Sequence, residues 1–432
     1  MDIDTRWRAV REKHLCRKCL ERHLNRCERR TPCGNGRKVD TFAFLDDGSS
    51  ATFVEHALGN RYETGLLWKY SNFQLPPSKL MAIRRFECLQ RKMQKDPVLR
   101  AAIIDKMNDY ETKGCIRRLT PTEIADTRNT NWFLPTFPVT NPNKSGKIRI
   151  VFNATAKSNG VSLNTFLLKG PDQLVDLLTV LYKFREHRIV VVGDIKEMFF
   201  QVAMRPEDQR SQMILWNGGE TDKAADVYVV TVMKFGAACS PCYAHYVKNL
   251  NAEKYRDEFS RAFECIVKEH YVDDMLASVE TEDEAIKLAK DVRHVYAKGG
   301  FEIRNWLSNS HLVMEQLDVP VKIEKDVNVG TDTRTEKVLG MWWDTQADTF
   351  MYKDSPRNDE QLLAGTKLPT KREGLRILMR IYDPLGLLGN VLMFLKVLLQ
   401  EIWRAGVGWD EQIGGRLAEQ WERWTSILPA VC

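Results

Sequence analysis

Tyr271-Val272-Asp273-Asp274 is the stretch on which the fold of this chain turns. An aromatic and a β-branched residue lead into two adjacent carboxylates. Glu264-Cys265-Ile266-Val267-Lys268-Glu269-His270 precedes it and Met275-Leu276-Ala277-Ser278-Val279 follows. Both flanks read as strand, by alternation or by apolar runs, which puts the acidic pair at a tight strand–turn–strand tip. Carboxylates held side by side repel, and a folded chain seldom tolerates that without a compensating cation. A hard divalent ion with oxygen ligands, Mg2+ above all, is the natural partner. For the tetrapeptide by itself, a solvated Asp-Asp turn is the alternative.

The elements around it narrow the choice. Arg188-Ile189-Val190-Val191-Val192-Gly193-Asp194 is nearly all β-branched and ends in a carboxylate, the pattern of a buried central strand with its acid at the rim of the sheet. Phe199 follows five residues later. Trp132-Phe133-Leu134-Pro135 and Phe137-Pro138-Val139 lead to a turn at residues 141–146 and then to Lys147-Ile148-Arg149-Ile150-Val151-Phe152. That is a hairpin whose second strand carries Lys147 and Arg149 on one face, either a solvated face or a pair of cations suited to a triphosphate. After a strand at Val227–Val232, the small-residue loop Gly236-Ala237-Ala238-Cys239-Ser240-Pro241 opens a helix through Tyr243, Tyr246 and Leu250. Small side chains let a backbone approach a flat ligand. Residues 62–135 are mainly helical in pattern, and Thr120-Pro121-Thr122-Glu123 is a capping box.

Composition bounds the class. A chain of 432 residues holds two or three domains, and 43% hydrophobic with 28% charged residues is ordinary for a soluble globular protein. Met1 to Trp7 lacks the apolar core of a signal peptide. Leu385 to Leu399, broken by Asn390 and Lys396, is too short to span a bilayer and reads as a buried helix, so no membrane partner is expected. The ten cysteines are scattered and form no disulfide framework; Cys239 and Cys242 read as packing residues. The net charge is +6, and the first forty residues alone hold twelve Lys/Arg against six Asp/Glu, so the positive excess is local. Concentrated basic charge beside Cys and His suggests a nucleic-acid-facing module. Within it, Cys16, Cys19, His23 and Cys27 are either a tetrahedral Zn2+ site or part of a basic tail.

The series of parts resembles the consecutive motifs of a reverse transcriptase. In order they are the basic hairpin, Asp194 with Phe199, the Gly…Ser-Pro loop, Tyr-Val-Asp-Asp, Gly299-Gly300-Phe301, and Val338-Leu339-Gly340-Met341-Trp342-Trp343. Among such enzymes it is most similar to the Pao/BEL group of long-terminal-repeat retrotransposons. Gly193 to Phe199, Phe301 to Ser310 and Asp383-Pro384-Leu385-Gly386-Leu387 are characteristic stretches. The likeness runs from about residue 62 to the C-terminus. Upstream, residues 1–40 resemble a zinc knuckle with each Cys–His gap one residue short. Residues 41–61 resemble a retropepsin-type protease cut down to a remnant around Asp46, for which no proteolysis is expected.

The resemblance implies an α+β right-hand polymerase, with an antiparallel palm sheet backed by helices. Its fingers would be 62–190, its palm 191–345, and its thumb with the start of a connection 346–432. It implies two-metal nucleotidyl transfer from a dNTP to a primer 3′-hydroxyl, with RNA template and DNA primer–template as partners. Asp194 and Asp273, with the Ile195 carbonyl and the support of Asp274, would hold two Mg2+ ions. Lys147 and Arg149 would hold the triphosphate, Phe199 would stand beneath the sugar as a steric gate, and Gly236 would face the incoming base pair. Met341, Trp342 and Trp343 would steady the primer end. Family members act in cytoplasmic particles, and nuclear work is open. Three departures accompany the likeness. Asn153 stands where Asp is common, and no lysine follows Gly-Gly-Phe as a general acid, Arg304 being nearest. The sequence also stops at Cys432 before an RNase H or integrase could fit. The alternative function is a degenerate retroelement fragment that binds nucleic acid without productive synthesis. Oligomeric state and template preference are open from sequence.

Overall fold

The computed structural model describes residues 61–70, 72–140, 148–220, 222–317, 335–352 and 359–428, and as backbone strands only 31–32, 38–39, 41–44 and 52–56. The candidate zinc ligands Cys16, Cys19, His23 and Cys27, the protease-like Asp46, and Lys147 lie outside the described residues.

After a short strand at Tyr62–Thr64 come two helices, α1 (Lys79–Lys95) and α2 (Pro97–Thr112). Ala82, Phe86, Leu89 and Met93 in α1, and Ile103, Met107 and Tyr110 in α2, recur at three- and four-residue spacing and are buried. Asp96 caps α2 by accepting from the Leu99 N–H, with Pro97 in the first turn. Strand β1 (Ile116–Arg118) follows, then a short helix at Pro121–Ala125 that starts on the Thr120–Glu123 capping box read in the sequence. The hairpin β2 (Thr136–Thr140) and β3 (Ile148–Phe152) pairs Thr140 with Ile148 and Val139 with Arg149.

Helix α3 (Leu177–Phe184) leads to β4 (Ile189–Ile195). Strands β5 (Met213–Trp216) and β6 (Asp226–Val230) are antiparallel, with β1 on the far edge of β6. Next come α4 (Ser240–Glu253), α5 (Ser260–Lys268), β7 (His270–Tyr271), β8 (Asp274–Val279), α6 (Glu282–Lys298) and β9 (Ile303–Ser308). The sheet that carries the acidic motifs has the order β7-β8-β4-β9. A three-stranded sheet follows, β10 (Thr335–Val338), β11 (Met341–Asp344) and β12 (Thr349–Met351), and then helices α7 (Lys371–Arg380), α8 (Gly389–Arg404) and α9 (Arg416–Thr425). The α+β class expected from the sequence is what the chain adopts. No helix among the described residues is long and apolar enough to cross a membrane.

One flank departs from expectation. Glu264 to Lys268 lies in helix α5, and only His270 and Tyr271 remain as the strand before the acidic turn. Ala262, Phe263, Cys265 and Ile266 are buried, which is one helical face; over so few residues that spacing and strand alternation look alike. The Leu385–Leu399 stretch is also less enclosed than expected. Leu392, Leu395, Leu398 and Leu399 of α8 face inward, whereas Met393 and Val397 are exposed.

The chain divides into two compact units. The first comprises Met1–Val175, Gly193–Met275 and Lys287–Arg304, the second Asp176–Val192, Leu276–Ile286 and Asn305–Cys432. In the first, the Asn251 amide of α4 donates to the Val295 carbonyl of α6 at 2.7 Å, and Gly299 lies so near that a Cβ there would meet Asn251 at 2.6 Å. Close approach accounts for that glycine.

In the second unit, Leu362, Ile377, Leu395, Leu398, Ile402, Ile413, Trp421 and Trp424 form one core. At its margin the buried Asp359 carboxylate, 1% exposed, pairs with both Arg376 and Arg380. A buried acid is held by such partners, and removing it strands two guanidinium groups. Replacing Asp359 with Ala should lower stability by about 2 kcal/mol, less than the roughly 3–5 for a fully enclosed pair, because both arginines can rehydrate. Urea unfolding measures this, and a change below about 0.5 kcal/mol would mean that water replaces the carboxylate without cost.

Candidate active site

The site is built where β4 ends. Val190, Val191 and Val192 are buried, and the strand delivers Asp194, whose side chain is 25% exposed, beside the buried Ile195. The Ile195 N–H donates to the Asp273 carbonyl at 2.8 Å, and the next amide, Lys196 N–H, donates to the Glu302 carbonyl at 2.8 Å. These two bonds fix the strand end between the acidic turn and the residue before β9. Sequence neighbours 194 and 195 therefore stand beside 273 and 274, eighty residues on.

The turn itself is tight. Tyr271 pairs with Asp274, leaving Val272 and Asp273 as a two-residue connection. Val272 is left-handed, with φ of 58°. A β-branched residue rarely adopts that conformation, which costs roughly 1–3 kcal/mol and persists where surrounding structure dictates it. His270, the residue before Tyr271, is buried. Its Nδ1 lies 3.1 Å from the Cys265 carbonyl and its Nε2 2.6 Å from the Tyr296 hydroxyl of α6. The carbonyl can only accept, so Nδ1 carries the proton and the tyrosine hydroxyl donates to Nε2. The turn is thus tied to both α5 and α6.

Crowding shows in the acidities. Burial, then Asp273, then Asp194 push the Asp274 carboxyl up to about 7. Asp273 is also raised, first by burial and further by Asp194; its own backbone N–H and the Arg149 guanidinium pull the other way. Arg149, on the hairpin, is therefore close enough to act on the acids. Arg304 reaches them too, with Nε 3.7 Å from the Asp194 carboxylate. The donors gathered here are hard oxygens, three carboxylates with the Ile195 carbonyl at hand, the set that suits Mg2+ or Mn2+ rather than zinc. Among the described residues, no three Asp, Glu, His or Cys side chains are already closed into a metal cage. Asp273 and Asp274 are partly desolvated, and the charge of Asp194 acts on both.

Phe199 lies in a 3-10 turn, Met198–Gln201, and is 6% exposed. Its ring meets the edge of Phe235 at 4.4 Å. Phe235 is 48% exposed and precedes Gly236, whose φ of 91° is glycine-specific. Asn164 clamps this loop, donating to the Gly236 carbonyl at 2.8 Å and accepting from the Ala238 N–H at 2.9 Å. Sequence reasoning missed Asn164 and Phe235. Asn164 acts on a loop more than seventy residues away, and no local pattern marks such a partner.

Met341, Trp342 and Trp343 belong to the second unit, whereas Asp194, Asp273 and Asp274 belong to the first. Met341 and Trp343 are buried, and Trp343 donates to Asp348 at 3.0 Å and packs edge-on against Phe184. Only Trp342 of the three is partly exposed, with Lys337 over its ring.

Two family models match the chain. Residues 142–307 match the reverse transcriptase (RNA-dependent DNA polymerase) model, a span that holds Arg149, Asp194, Phe199, Gly236, Asp273 and Asp274. Residues 370–431 match the Pao retrotransposon-like RNaseH-like domain; the described part of that stretch contains the three helices α7 to α9. No curated protein matches. Among solved structures, the foamy viral protease-reverse transcriptase in complex with double-stranded DNA (a form designated dRH) aligns at 14% identity, TM-score 0.46, over 76% of this chain and 48% of that one. The same protein with RNA/DNA hybrid aligns at 16% identity, TM-score 0.45, over 75% and 36%, and another complex with double-stranded DNA at 16%, TM-score 0.44, over 76% and 57%. The chain thus spans between 36% and 57% of the length of these structures, and scores this low establish no common fold. The two family matches, one on the acidic sheet and one on the C-terminal helices, support a reverse transcriptase region of the Pao retrotransposon type.

Proposed function

We propose that the chain is an RNA-directed DNA polymerase that extends a DNA primer on an RNA template, drawing on dNTPs. The observation that carries this reading is the coupling of Asp194, Asp273 and Asp274 at the end of one sheet. Asp273 and Asp274, whose proton affinity is raised by burial and by the neighbouring carboxylates, are in want of positive charge. Bound divalent ions would supply it, activating the primer 3′-hydroxyl and neutralising the leaving pyrophosphate. Asp194 and Asp273, with the Ile195 carbonyl, would hold two Mg2+ ions, and Asp274 would support them. Arg149 acts on Asp273 from the hairpin and, with Lys147, would receive the triphosphate. Phe199 would exclude a ribose 2′-hydroxyl, and Gly236 would lie against the incoming base pair. Residues 62–190 would serve as fingers, 191–345 as palm and 346–432 as thumb, with Met341, Trp342 and Trp343 near the primer end. A thumb of this kind grips the duplex through its sugar-phosphate backbone, independent of sequence and weakened by salt.

A second reading is nucleic-acid binding without synthesis. Primer extension on poly(rA)/oligo(dT) with Mg2+ separates the two. Asp273→Asn should reduce extension about a thousandfold or more while leaving primer–template binding within about threefold. Binding without extension by the unaltered chain would select the second reading.

The acids also predict a pH effect. Asp274 is raised from 3.8 toward 7, so the folded chain holds its proton where the unfolded chain has lost it. Its contribution to stability is complete below about pH 4 and is lost as pH rises through 7. In EDTA, Asp274→Asn should therefore melt above the unaltered protein at pH 8.5, with the gap closing toward pH 5. A gap of equal size at both pH values, followed by thermal melting, would show that Asp274 carries no raised acidity.

A further inference from the structure

The turn that carries Phe199 is held by charge from behind. Glu197 opens it in a left-handed conformation, φ 47°, unusual for a residue with a side chain. Its carboxylate lies 3.2 Å from Lys106 Nζ and 3.0 Å from Lys113 Nζ, both from the C-terminal half of α2 and just beyond it. Asp109 joins the same cluster, 2.8 Å from Lys106 and 2.9 Å from Lys113. Lys106 also sits over the Tyr110 ring, 4.6 Å from its centre, and Tyr110 meets Phe200 edge-on at 5.1 Å.

The turn itself is short. The Phe200 N–H donates to the Glu197 carbonyl at 2.7 Å, the Val202 N–H to the Phe199 carbonyl at 3.2 Å, and the Gln201 amide to the Lys196 carbonyl at 3.0 Å. A single 3-10 turn with one strained residue at its start does not hold its shape unaided. Two lysines on one carboxylate, with an aromatic contact from the same helix, hold it. About half the exposure of each partner has been removed or more, so these contacts are screened less than surface pairs.

Resting on the polymerase reading above, we infer that Glu197 is a positioning residue for sugar discrimination: its clamp to Lys106 and Lys113 sets where the Phe199 ring stands. A steric gate distinguishes a hydrogen from a hydroxyl, a difference of about one atom in reach, so a small displacement of the ring opens it. The acids that would do the chemistry are on β4 and the 273–274 turn, and keep their own backbone bonds when the clamp is cut. Loss of the clamp therefore falls on selection rather than on rate.

Single-nucleotide primer extension with matched dNTP and rNTP tests this. Glu197→Gln should lower the dNTP-over-rNTP preference in kcat/KM by about tenfold, the equivalent of about 1.4 kcal/mol, with kcat for dNTP changed less than about threefold. Lys113→Met should act in the same direction without touching the turn. Glu197→Lys combined with Lys113→Glu should restore part of the preference, an outcome that mere loss of stability would not give. Extension with an unchanged preference in folded Glu197→Gln and Lys113→Met proteins would overturn the clamp alone. Failure of the unaltered chain to extend with dNTP would overturn the polymerase reading, and the gate with it.

Discussion

A backbone hydrogen bond from the Ile195 N–H to the Asp273 carbonyl extends the pairing of β4 with β8 and joins the two halves of the acidic site. It does what the side chains cannot do for themselves. Asp194, Asp273 and Asp274 repel, so no attraction among them draws the end of β4 to the turn at 272–273. The sheet imposes the meeting. A one-residue slip between strand and turn would send the carboxylates to the opposite face, so register is the quantity that must be secured. It is secured by apolar packing along Val190-Val191-Val192 and by the parallel tie from Lys196 N–H to Glu302 on the other side of the strand. The energy comes from burying the strand; the acids ride at its end.

The same logic explains which parts could be read without coordinates. A run of β-branched residues ending in Asp, and an acidic pair after an aromatic, advertise themselves because their signals are local and strong. The capping box at Thr120 was equally plain, since four residues contain the whole hydrogen-bonding device. The helix at Ser260–Lys268 was hidden because five residues of amphipathic sequence fit two periods at once. The burial of Met341 and Trp343 was hidden for another reason. Aromatic residues beside a Gly turn suit a ligand contact or a core equally well, and only alternation along β11 sends Trp342 outward and its neighbours inward.

What stayed illegible in the site was long-range and electrostatic. Asn164 reaches across to the 236–238 loop, and Glu197 takes its partners from a helix some ninety residues earlier. Neither interaction leaves a mark in neighbouring sequence. Arg304 shows the converse. It is the residue nearest the place of a missing lysine, and it lies against Asp194. A guanidinium keeps its proton at any ordinary pH, so it can offset charge there but makes a poor general acid. Position alone therefore does not transfer a lysine's role to it.

Strain and repulsion at the site have a common consequence. Val272 and Glu197, both left-handed without being glycine, lie between Asp194 and Asp273 in sequence order, and each turn is held by contacts outside itself. A structure that maintains such features is higher in energy than it would be with the acids neutralised. Any cation placed among them is bound with the relief of that repulsion added to its direct attraction to oxygen. Linkage makes the relation reciprocal: what the ion gains from the crowded carboxylates, the fold gains from the ion.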